Sequence, residues 1–66
     1  MEVAVNGETR TLPPGTTVAT VVGELTTATS GVAVSLNDEV VPRTEWPRRV
    51  LRPGDRIDVL TAVQGG

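Results

Sequence analysis

Arg56-Ile57-Asp58-Val59-Leu60-Thr61 is the clearest strand in this 66-residue chain, and every other element can be placed relative to it. Successive side chains in a strand alternate sides, so Ile57, Val59 and Thr61 point one way and Arg56, Asp58, Leu60 and Ala62 the other. Two charges mark the second set as the side turned away from the protein's body. That leaves Leu60 as an apolar side chain on an open sheet surface, with Ala62 beside it. Pro53-Gly54-Asp55 supplies a turn before the strand, whereas Ala62-Val63-Gln64-Gly65-Gly66 continues from it with no turn signal.

The N-terminal end holds a second apolar strand. Val3 and Val5 alternate with Glu2 and Ala4, Asn6-Gly7 intervenes, and Glu8-Thr9-Arg10-Thr11-Leu12 returns. Asn-Gly is the strongest two-residue hairpin signal, because a type I′ turn needs positive φ at both central residues. Pro13-Pro14-Gly15 ends this hairpin and starts a crossover. Val18, Val21, Val22 and Leu25 then recur at i, i+3, i+4 and i+7, predicting a two-turn amphipathic helix with Thr16 or Thr17 as its cap. Its propensity is poor, since Val and Thr lose χ1 freedom and Gly23 costs about 1 kcal/mol relative to Ala, so packing on a sheet must hold it.

After a polar loop over 26–31, Val32-Ala33-Val34-Ser35-Leu36 and Glu39-Val40-Val41 form a second hairpin about Asn37-Asp38. The stretch 43–49 is too Pro-broken for more than a turn or one 3₁₀ turn, and Val50-Leu51 suits a short strand. The two hairpins share Val-Ala-Val before an Asn-led turn, but the segments after them differ, so no internal repeat is assigned. The resulting order of hairpin, helix, hairpin, short strand and terminal strand gives one helix to cover one face of one sheet. The most apolar strands, first and last, are expected as a central parallel pair. The predicted fold is an α+β, ubiquitin-like β-grasp in a single domain over 1–66: a mixed β-sheet with one short helix packed on one face, and a tail over 62–66.

Composition narrows the chemistry further. Apolar types make up 38% of residues and Gly adds seven, ordinary for a soluble domain, and the length allows only a small core. There is no His, Cys or Tyr, and all six basic residues are Arg. Nothing titrates naturally near pH 7, no thiolate can serve as nucleophile, and no sulfur can bind a structural metal. A net charge of −2 with acids beside each Arg argues against nucleic acid. No apolar run approaches the 18 residues of a membrane span, and the start lacks a basic leader, so a cytoplasmic location is expected.

Few residues remain that could carry function. Asp38-Glu39 reads as solvated acids in a hairpin turn. Trp46, flanked by Arg43, Arg48 and Arg49, could stack a base, but the only aromatic residue of a small domain is more simply its core plug. The closing Gly65-Gly66 stands apart: a terminal Gly pair arises by chance in about one chain in 200 at ordinary Gly usage. A frayed end or cloning remnant is the plain alternative. The functional reading is that a terminal carboxylate, inert until its oxygen becomes a leaving group, is activated by a nucleotide. Residues lacking Cβ would let the backbone pass a partner's narrow channel. Five extended residues from Ala62 reach about 17 Å.

The second half of the chain resembles the ThiS family of sulfur carriers of thiamine thiazole synthesis. The resemblance rests on Val32-Ala33-Val34 with Asn37, Val40-Val41-Pro42-Arg43 with Trp46, Leu51 with Gly54-Asp55-Arg56-Ile57, and Ala62-Val63-Gln64-Gly65-Gly66. The first half agrees more loosely, through Asn6-Gly7-Glu8 and Pro14-Gly15-Thr16-Thr17-Val18, and Ser35 replaces the Ala expected there. The resemblance implies a protein substrate, not an enzyme. A partner adenylating enzyme uses ATP and magnesium on Gly66, a persulfide on another protein displaces AMP, and the resulting thiocarboxylate passes sulfur to thiazole synthase. Val63, Gln64 and Gly65 would enter the partner's site while Leu60 and Ala62 dock against it. No cofactor is expected on this chain itself. Ubiquitin-like modifiers and molybdopterin-synthase small subunits share the Gly-Gly end and stay open as alternatives.

Overall fold

The computed structural model describes residues 1–28 and 30–62. Its elements are β1 (Glu2–Val5), β2 (Glu8–Thr11), α1 (Val18–Leu25), β3 (Val32–Leu36), β4 (Glu39–Val40), a 3₁₀ turn (Arg43–Glu45) and β5 (Arg56–Thr61). Among the described residues the five strands form one mixed sheet in the order β2-β1-β5-β3-β4. β1 and β5 run parallel through Ala4 opposite Arg56 and Val5 opposite Ile57. All other strand pairs are antiparallel. The predicted β-grasp, with its parallel pairing of first and last strands, is the observed fold.

Both hairpins turn as their sequences require. Asn6 and Gly7 have φ of 50° and 83°, and Asn37 and Asp38 have 52° and 70°, so both central residues are left-handed in each turn. The two asparagines also do something that turn propensity does not announce. Asn6 Oδ1 accepts from the Val59 N–H at 2.7 Å, and Asn37 Oδ1 accepts from the Arg56 N–H at 2.9 Å. The turn of each hairpin thus grips β5 through a side chain: Asn6 extends the parallel β1–β5 ladder, which has only two paired positions, and Asn37 extends the antiparallel β3–β5 ladder on the other edge.

The helix is held as its weak propensity demands. Val18, Val21 and Val22 face the sheet and are buried with Val3, Val5, Val34, Leu36, Val41, Trp46, Leu51 and Ile57 in one core. Leu25, expected as the last residue of the buried stripe, is instead 37% exposed and does not join the core, because it ends the helix. Thr17 is the cap, its side chain accepting from the Thr20 N–H, while Thr16 is buried and donates its hydroxyl to the Pro13 carbonyl. The remaining N–H groups of the first turn find carbonyls outside the helix: Val18 donates to Arg49 O at 2.9 Å and Ala19 to Trp46 O at 3.1 Å. A helix leaves its first N–H groups without internal partners, and here the 46–49 segment supplies them.

One element differs from expectation. The strand predicted at Val50-Leu51 is a single bridge from Val50 to Thr17. Pro47 and Pro53 flank too short a stretch for a ladder, and Leu51 is pulled into the core while its N–H donates to Thr16 O. Among the described residues no helix is long and apolar enough to cross a membrane.

Candidate functional site

The alternation read in β5 holds. Ile57 is fully buried under α1 and Val59 packs against the core, whereas Leu60 on the opposite face is 73% exposed. Leu60 stands directly across from Ala33 in β3, Ser35 pairs with Asp58, and Val40 in β4 pairs with Ser35. Ala33, Val40 and Leu60 therefore share the open face, where a shallow depression runs between Val40 and Leu60. A second depression continues from Ala33 and Leu60 to Gly31 and Ala62. The sequence pointed to Leu60 and Ala62 and missed Ala33 and Val40. Their alternation puts each on one of two faces, but only the register with β5 places them beside Leu60.

The same face changes character toward the start of β5. Arg56 pairs with Asp38 and lies 4.0 Å from Asp58. The hydrogen bond and charge of Asp38 hold the Arg56 guanidinium above its ordinary pKa. Charge thus collects at the beginning of β5 and apolar surface at its end.

Other candidates resolve into structure. Trp46 is buried, its Nε1–H donates to Val41 O at 2.9 Å, and the Arg43 guanidinium lies 5.8 Å over its ring. It is the core plug, lidded by a cation, with no face left for a base. Asp38 and Glu39 are exposed partners of Arg56 and Arg49. Asp55 is committed to turn geometry, accepting from Asn37 Nδ2 and from the Arg52 N–H.

Val63, Gln64, Gly65 and Gly66 lie outside the described residues. Ala62 is exposed, its N–H donates to Gly31 O at 2.7 Å, and it thereby carries the β3–β5 pairing one position beyond β5. Gly31 has φ of +71°, and a Cβ built on it would stand 3.1 Å from the Ala62 Cβ.

This architecture, with an apolar open face beside the end of its last strand, defines a ubiquitin-like β-grasp protein. The family model described as the ThiS family matches residues 3–66. The sulfur carrier protein ThiS of Thermus thermophilus is 44% identical over 61 residues, covering 92% of this chain and 94% of that protein. A thiazole synthase of Paramagnetospirillum magneticum is 32% identical over 66 residues, all of this chain, which spans only 20% of that longer protein. The crystal structure of the thiamine biosynthesis protein ThiS from Geobacter metallireducens superposes with a TM-score of 0.79 at 29% identity, covering 100% of both chains. The chain belongs to the ThiS family.

Proposed function

We propose that this protein is a sulfur carrier of thiamine biosynthesis, loaded at the Gly66 carboxylate. The observation that carries the reading is the end of β5: Leu60 and Ala62 lie exposed on the open sheet face, immediately ahead of Val63-Gln64-Gly65-Gly66. From Ala62 the four remaining residues reach at most about 14 Å. A partner seated on this apolar surface receives the carboxylate within that distance.

The chemistry proceeds on the partner. An adenylating enzyme using ATP and magnesium lets a Gly66 carboxylate oxygen attack the α-phosphorus, expelling pyrophosphate and forming an acyl adenylate. A persulfide's terminal sulfur then attacks the carbonyl carbon and AMP departs. A second thiol then attacks the donor's inner sulfur and cleaves the S–S bond that the persulfide brought with it, leaving the donor protein in a disulfide and Gly66 as a thiocarboxylate. With no Cys in the chain, this carboxylate is the one group suited to hold sulfur. A thiocarboxylate is more acidic than a thiol, so it is an ionised nucleophile at neutral pH without a neighbouring base. The match within a protein named thiazole synthase supports that enzyme as the acceptor.

The test is intact mass spectrometry after incubation with ATP, the adenylating enzyme and a persulfide source. The expected product has one oxygen replaced by sulfur, and loses it on addition of thiazole synthase and its substrates. A stable isopeptide to a target Lys would instead identify a protein modifier.

A further inference from the structure

We propose that the hollow beside Arg48, Arg49 and Arg52 is an anion site that takes a small ligand through a diphosphate group, independently of the sulfur-carrier reading. The segment 43–52 holds four of the chain's six Arg against one acid, Glu45, in a protein whose net charge is −2. Acids stand near every Arg in the sequence, but the fold shares them out unequally. Arg10 pairs with Glu8, Arg49 with Glu39 and Glu45, and Arg56 with Asp38 and Asp58. Among the described residues no ion pair reaches Arg48 or Arg52. Both line, with Arg49, Leu36, Asn37 and Asp55, a hollow of about 530 Å³, a size that suits a small molecule. The lining acid is already engaged: one Asp55 carboxylate oxygen accepts from Asn37 Nδ2 and the other from the Arg52 N–H. The backbone under the arginines is fixed as well. The Arg48 and Arg49 N–H groups both donate to Glu45 O, and Arg49 O accepts from the Val18 N–H. A guanidinium fork matches two phosphate oxygens, so unpaired forks around one hollow fit an anion with oxygens on two phosphorus atoms. Trp46 is buried beneath Arg43 and offers no ring to stack a base, so the charge is what this site reads. Asn37 and Asp55 stand at the start of β5, about 20 Å along the strand from Ala62. A ligand here leaves the apolar end of the open face uncovered.

The test is titration of the whole chain with inorganic pyrophosphate, followed by amide NMR at low ionic strength in a buffer free of phosphate and sulfate. Signals of residues 48–52 should shift saturably with a Kd of about 1 mM, the affinity of a few charge-assisted hydrogen bonds at an exposed site. Arg48→Gln and Arg52→Gln should each raise that Kd about fivefold with Tm unchanged, because neither side chain has an ion pair to lose. Arg10→Gln removes the same charge on β2, away from the hollow, and should leave Kd within about twofold. ADP serves as the second ligand. Equal affinity for ADP assigns the site to a diphosphate group whatever carries it, tighter binding makes a nucleotide its source, and weaker binding restricts it to the free anion. Shifts that stay linear in pyrophosphate, that spread over all six Arg positions, or that survive Arg48→Gln or Arg52→Gln with unchanged Kd overturn the proposal. So does Arg10→Gln weakening binding as much as those two, since the chain's diffuse charge would then be the cause.

Discussion

The two faces of β5 divide labour residue by residue. Ile57 and Val59 look into the core, while Arg56, Asp58 and Leu60, interleaved with them, look outward. Because the period of a strand is two, the core face and the open face occupy the same six residues without sharing a side chain. The lesson for a chain this small is economy: with only about 60% of its unfolded surface buried, one strand must present a core face and an exposed face at once. The open face is itself graded, with charge at Arg56 and Asp58 and apolar surface at Leu60.

Substitutions can break this division or sharpen it. Ile57→Ala opens a cavity at the centre of the core and should cost about 3 kcal/mol in urea denaturation. A core this size supplies only about 3–5 kcal/mol, so that variant should retain at most about 2 kcal/mol and begin to unfold at low denaturant concentration. Trp46→Phe strands the buried Val41 carbonyl and removes part of the plug, with an expected loss of about 2 kcal/mol in the same measurement. Asn6→Gly keeps the positive φ but deletes the acceptor for Val59. It should cost about 1 kcal/mol, and amide hydrogen exchange should show the Val59 N–H losing protection selectively. Leu60→Arg should shift stability by less than about 0.5 kcal/mol, since it changes an exposed residue. Titration against the adenylating enzyme should nonetheless show weakened binding. A stability loss rivalling that of Ile57→Ala would mean that the two faces are not separable.

How much of this is legible in the sequence depends on the range of the interactions involved. Asn6-Gly7 and Asn37-Asp38 are readable as turns because a turn is specified by its own residues. The faces of β5 are readable because alternation is local. The plug role of Trp46 comes from its being the chain's single aromatic residue. The grip of Asn6 on Val59 is not readable, since it joins positions 53 apart and depends on the parallel pairing. Nor is the support of α1 by the Trp46 and Arg49 carbonyls, because backbone carbonyls leave no trace in side-chain identity. Val50-Leu51 looks like a strand because both residues are apolar. One of them, Leu51, is apolar because it fills the core and not because it pairs. At the candidate site, Leu60 and Ala62 are legible and Ala33, Val40 and Gly31 are not, because their relevance comes from the β3–β5 register.

The Asn6–Val59 hydrogen bond has a consequence for synthesis of the chain. A sheet whose inner strand is made last cannot close while the ribosome still holds that strand, so the N-terminal hairpin and α1 must wait with their apolar faces uncovered. Folding dominated by such distant pairing is slow. Closure of the sheet, and with it the Asn6–Val59 hydrogen bond, therefore waits until β5 has cleared the exit tunnel.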